Sequence, residues 1–166
     1  PIVKSLPFPF SDYTLCITDT KGSHTHLTDE YAAILTEMKQ VASFFGKSVL
    51  RDISASDFYS QIPNLRSQFS DRSVLRPLHF FEENERVFKT VNSLENCNLS
   101  LFLTQINDSG ESSMSILQNS IVPGNIEQQE INLGLILSKH FLKNSGACRV
   151  HGGGFAGTIL SFIPSD

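Results

Sequence analysis

The sequence predicts an α+β domain, with helices packed on one face of a small antiparallel sheet. Three observations carry that expectation. Runs rich in β-branched residues lie near the two ends of the chain, at Tyr13 to Thr20 and at Thr158 to Ile163. Between them, apolar residues recur mostly at spacings of three and four. A glycine-rich stretch joins the second run to another extended segment, as in a tight antiparallel connection.

Taken in order, Tyr13 to Thr20 reads as a strand, and Lys21-Gly22-Ser23 ends it. Thr28 is placed to cap a helix whose first turn holds Asp29 and Glu30, both favourable against its positive end. Tyr31, Ile34, Leu35, Met38, Val41, Ala42 and Phe45 form its apolar stripe, and Gly46 stops it. Val49 to Ile53 reads as extended. Ser54 or Ser56 then caps a brief helix through Phe58 and Tyr59, and Pro63 begins another. The longest helix is expected from about Asp71 to Leu94, with Val74, Leu78, Phe81, Phe88 and Val91 on one stripe and a kink or later start at Pro77. Leu99, Phe102, Leu103 and Ile106 mark a further helix, which Asn107 to Gly110 should bend or interrupt and Met114 to Leu117 resume. Pro123-Gly124-Asn125 is a turn, and a last helix spans about Glu127 to Lys143. Ala147 to His151 and Thr158 to Ile163 are the closing strands.

Composition narrows the function classes. At 166 residues, with 40% hydrophobic and 18% charged residues, the chain can bury one core and forms a single domain over 1–166. A net charge of −4 without a basic block argues against a nucleic-acid surface. No run reaches the roughly 20 apolar residues of a membrane span. Cys16, Cys97 and Cys148 contain no C-x-x-C and cannot all pair, so a reducing compartment, the cytoplasm, is expected, with the thiols filling core space.

Gly152-Gly153-Gly154-Phe155-Ala156-Gly157 satisfies G-x-G-x-x-G, but only nine residues follow it and most read as strand. A dinucleotide site needs a helix there and a later acidic residue for the ribose, so that reading is rejected. The glycines can serve an anion-binding turn or a hairpin needing positive φ, and the run by itself does not choose. No Walker-type phosphate loop occurs. His24 and His26, with Asp29 nearby, form a His-x-His pair lacking a third close ligand, so no metal is assigned. His79, Glu82, Glu83 and Glu85 read as a solvated helix face, and His140 has no evident partner.

The segment Gly146-Ala147-Cys148-Arg149-Val150-His151-Gly152-Gly153-Gly154-Phe155-Ala156-Gly157-Thr158 resembles the third motif of galactokinases, in the GHMP kinase superfamily, which reads roughly G-A-R-M-T-G-G-G-F-G-G-C. Weaker likenesses precede it in the family's order: Tyr13 to Asp19 followed by Glu30-Tyr31, Val49 to Ile53 as the L-R-D-V element, His79 to Val87 as the H-V-x-x-E-x-x-R-V helix, and Asn107-Asp108-Ser109. His151 stands where the family has Thr, Ala156 where it has Gly, Thr158 where it has Cys, and Gly110 where His is common.

The resemblance implies a GHMP-kinase C-terminal domain fold and, in a longer parent protein, transfer of the ATP γ-phosphoryl group to the anomeric hydroxyl of galactose. The family's galactose motif, its G-x-G-L-S-S-S-A phosphate motif and its catalytic Asp have no counterpart here. ATP and Mg²⁺ are therefore expected mainly on a preceding N-terminal half, the implied partner, and no catalytic residue is assigned in this chain. Gly152, Gly153, Gly154 and Gly157 are expected near the sugar or phosphate, with His151 and Ser109 as candidate pocket-lining residues and Phe155 as a core anchor. The departures leave two alternatives open: a non-catalytic sugar or ATP sensor, and a GHMP kinase for another small molecule.

Overall fold

The computed structural model describes residues 3–23 and 27–165, so the His24 and His26 pair lies outside the described residues. Strand β1 (Tyr13–Asp19) leads to helix α1 (Thr28–Phe44), a 3₁₀ turn (Leu50–Asp52) and the short helices α2 (Ala55–Ser60) and α3 (Ile62–Gln68). Helices α4 (Asp71–Glu95) and α5 (Leu99–Ser112) follow, then a π-helical turn (Ser113–Leu117), α6 (Glu130–Leu142), β2 (Ala147–His151) and β3 (Thr158–Pro164). The three strands form one antiparallel sheet in the order β1-β3-β2. This is the expected α+β class with a small antiparallel sheet, but helices pack on both of its faces rather than on one.

Local chemistry explains most boundaries. The Ser54 and Ser70 hydroxyls accept from the Asp57 and Ser73 amides and start α2 and α4. Gly46 follows α1 with φ +68, a conformation open to glycine at little steric cost. Four expectations change. Thr28 is the first residue of α1 rather than its cap, because Leu27 occupies the cap with helical backbone angles. Val49 to Ile53 closes into a 3₁₀ turn through the Asp52 amide to Val49 O and the Ile53 amide to Leu50 O, rather than extending. Pro77 lies inside α4, which begins before it at Asp71. α5 runs unbroken through Asn107 to Gly110, and its irregularity comes later as the π-helical turn.

Two helices, α5 and α6, pack on the sheet, and α1 and α4 form a separate apolar cluster. Buried Val41, Ala42, Phe58, Leu65, Val74 and Phe81 join α1 to α4 over the short helices. Phe88 is 71% exposed, so the apolar stripe predicted for α4 does not continue through it. Cross-strand partners share a face, which puts Ala147 and Phe162 on one side and Cys148, Val150 and Ile159 on the other. The first side meets Phe102, Leu103 and Ile106 of α5; the second meets Ile131 and Leu135 of α6. α5 also covers the open edge of β2. The Asn107 side chain accepts from the Cys148 amide at 3.1 Å and donates to Gly146 O at 3.3 Å, taking the place of a neighbouring strand. A Cβ on Gly110 would lie 2.6 Å from Cys148 O, so only glycine permits this approach.

Candidate functional site

The glycine-rich turn between β2 and β3 is held by two side chains from elsewhere. Tyr31, on α1, donates its hydroxyl to Gly154 O at 2.9 Å. Asn119 donates its side-chain amide to Gly153 O at 3.0 Å, and its backbone carbonyl accepts from the Phe155 amide at 2.5 Å. At the base, both the amide and the hydroxyl of Thr20 donate to Gly157 O. Phe155 is buried edge-to-face against Tyr31, with Leu27 and Ala156 around it. It is a core anchor, as its type implied, and it adopts φ 60 despite its side chain.

The glycines do different work. Gly152, Gly154 and Gly157 have φ values of +78, +81 and +100, so the turn needs glycine for its backbone path. Gly153 and Gly154 are also packed tightly: a Cβ on Gly153 would meet the Tyr31 ring at 2.7 Å, and one on Gly154 would collide with the Asn119 backbone and amide. Gly152 faces open space. His151 and Gly152 with Gly153 are exposed, whereas Gly154 to Gly157 are buried. Of the four glycines, Gly152 and Gly153 are thus the ones whose backbone reaches the surface.

His151 and Thr158, two departures from the family motif, face each other across the strand pair, with Nδ1 and Oγ1 2.8 Å apart. Ser109 is elsewhere. It is buried on α5, donates to Glu83 Oε2 at 2.9 Å, and lines a cavity of about 150 Å³ with Arg86 and Arg149 whose walls include none of the glycines.

Of the α4 residues read as a solvated face, Glu85 is exposed as expected, whereas His79, Glu82 and Glu83 are partly buried. Glu83 also pairs with Arg86, and His79 Nδ1 lies 2.8 Å from the Ser112 hydroxyl. Burial holds the His79 pKa below its usual value, against the opposing pull of Glu83. The thiols differ as well: Cys148 is buried, its pKa raised by burial, while Cys97 is exposed rather than filling core space.

A second polar group was not anticipated. Glu37 is buried on α1; its Oε1 accepts two hydrogen bonds from Arg72, and its Oε2 lies 2.9 Å from Arg76 Nη1. Burial lowers the Arg76 pKa, opposed chiefly by the charge of Glu37. Spacing held the clue, since Glu37 lies between Ile34 and Val41 at helical intervals and therefore on the buried stripe.

No protein-family model matches the chain. Curated galactokinases do. The Haemophilus influenzae galactokinase is 29% identical over 160 residues, covering 96% of this chain and 39% of the relative. That of Actinobacillus pleuropneumoniae is 28% identical over 154 residues, covering 93% and 38%. The chain is similar to galactokinases over nearly its whole length. The galactokinase likeness extends to the fold: the crystal structure of Lactococcus lactis galactokinase complexed with galactose superposes with a TM-score of 0.76 at 18% identity, over 96% of this chain and 39% of that one. The chain spans about two fifths of the length of the galactokinases it matches, a share that fits one domain of such a protein.

Proposed function

We propose that this chain is the C-terminal domain of a galactokinase-like sugar kinase. In the whole protein it lines one wall of the cleft in which the ATP γ-phosphoryl group passes to the anomeric hydroxyl of galactose. The observation that carries this reading is the galactokinase match over nearly all of the chain, including the glycine-rich turn. Phosphoryl transfer depends mainly on positioning and on stabilising charge, so a domain can contribute without supplying the base. Gly152 and Gly153 bring exposed backbone to that wall, where a side chain on Gly152 would fill space a ligand needs. The packing of Gly154 and Phe155 against Asn119 and Tyr31 holds that backbone in place. His151 borders the same wall; Ser109, turned toward Glu83, would act on it through packing.

ATP and Mg²⁺ belong on this reading to a preceding half, together with the catalytic base. Among the described residues no cluster of three or more His, Cys, Asp or Glu has the arrangement to hold a metal ion. No described helix is long and apolar enough to cross a membrane, and the parent is expected to work in the cytoplasm.

The test uses this chain with MgATP and galactose, alone and then joined to the N-terminal part of a galactokinase that it resembles. The chain alone should release no ADP and form no sugar phosphate, whereas the joined protein should form galactose 1-phosphate. Turnover by the chain alone would overturn the placement of the base. A joined protein that turns over another sugar would overturn galactose, and one that binds galactose without turnover would identify a sensor.

A further inference from the structure

We propose that the cavity lined by Arg72, Arg76, Gln118 and Ser120 is an oxyanion site that takes the phosphoryl group of a small monophosphate. The cavity encloses about 380 Å³, enough for a small ligand, and Met114, Ile121 and Pro123 supply its apolar wall. Arg76 is 1% exposed; its Nη1 is ion-paired with Glu37, while its Nε has no hydrogen-bond partner. The contact of Nη1 with Glu37 Oε2, at 2.9 Å, uses one side of the guanidinium and leaves Nε without an acceptor. A buried guanidinium with an idle donor is unfavourable unless something else accepts from it.

The charges point the same way. Arg72 and Arg76 share one nearby carboxylate, Glu37, and Glu30 attracts Arg76 only weakly. An anion between the two guanidiniums offsets their mutual repulsion, and the apolar wall strengthens that attraction by excluding water. A phosphoryl group fits better than a carboxylate, because its three outer oxygens can accept from both planar forks at once. The simpler alternative, that Arg76 serves only to neutralise Glu37, leaves Nε unexplained. The site does not depend on the kinase reading, since it would hold phosphate whether or not the chain takes part in transfer.

The experiment is a titration of this chain with inorganic phosphate at constant ionic strength, observed through the arginine Nε–H signals by NMR, with acetate in parallel. The Arg76 signal should shift and saturate. Arg72→Gln, at a half-exposed position, should weaken phosphate binding about tenfold, as expected for losing one charge-assisted contact. Gln118→Glu, an exposed substitution that adds a repelling charge at the cavity, should weaken it as well. A hexose phosphate or a nucleoside monophosphate that binds more tightly than free phosphate supports the proposal and identifies the source of the group. No saturable shift, an affinity unchanged in both variants, or acetate saturating at the same midpoint would overturn it.

Discussion

Gly152 and Gly154 share a backbone conformation and differ in what surrounds them, which separates two reasons for a glycine. Gly152→Ala meets open space and should lose only the left-handed backbone preference, about 1 kcal/mol. Gly154→Ala adds a collision with Asn119 and should lose about 3 kcal/mol or more. Urea denaturation of the two variants measures the difference, and equal losses would show that Asn119 moves aside freely. His79 gives a residue-scale prediction in pH. Its folded pKa is depressed by burial, so the unfolded chain takes up the proton more readily and stability falls as pH drops through about 6.5 toward the folded value. His79→Gln should flatten the dependence of Tm on pH between 7 and 5 relative to the unmodified chain. The glycine positions were visible in the sequence because composition alone betrays a strained turn. Their anchors were not, because Tyr31 and Asn119 lie far from the turn along the chain and meet it only through tertiary packing.

Among the elements, α5 shows where a reading by local preference breaks down. Asn107 and Gly110 are poor helix formers, which is why the sequence predicts a bend there. Both are instead explained by β2, which Asn107 hydrogen-bonds and Gly110 admits at close range. Gly110→Ala therefore sets a helix-propensity gain of about 1 kcal/mol against overpacking that typically costs 1–3 kcal/mol, and a net loss of stability is expected. Asn107→Leu leaves the Cys148 amide without its acceptor and should lose about 1–3 kcal/mol. Thermal unfolding, with hydrogen exchange at the Cys148 amide, distinguishes the two: Asn107→Leu should speed that exchange directly. The strands and the long helices were legible because their periodicity is local. The 3₁₀ turn at Leu50–Asp52 and the continuity of α4 through Pro77 were not, because backbone closure and packing decide them.

At the scale of the whole molecule, exposed apolar side chains remain on several elements, α6 and β1 among them. Leu133, Leu137 and Phe141 lie along one stripe of α6, with Phe141 76% exposed, and Leu15 and Ile17 stand out from β1. Because they are exposed in the folded chain, Leu133→Ser and Phe141→Ser should change folding stability by no more than about 0.5 kcal/mol while reducing binding of an apolar dye. A larger loss of stability would show that α6 depends on them. The three-stranded sheet has two ends of unequal character. At β2 the backbone is occupied by Asn107 and crowded by α5, whereas β1 lies at the other margin, its inner side paired with β3. Such a sheet can lengthen in one direction only, so any strand added to this domain, from its own protein or a misfolded neighbour, must join at β1.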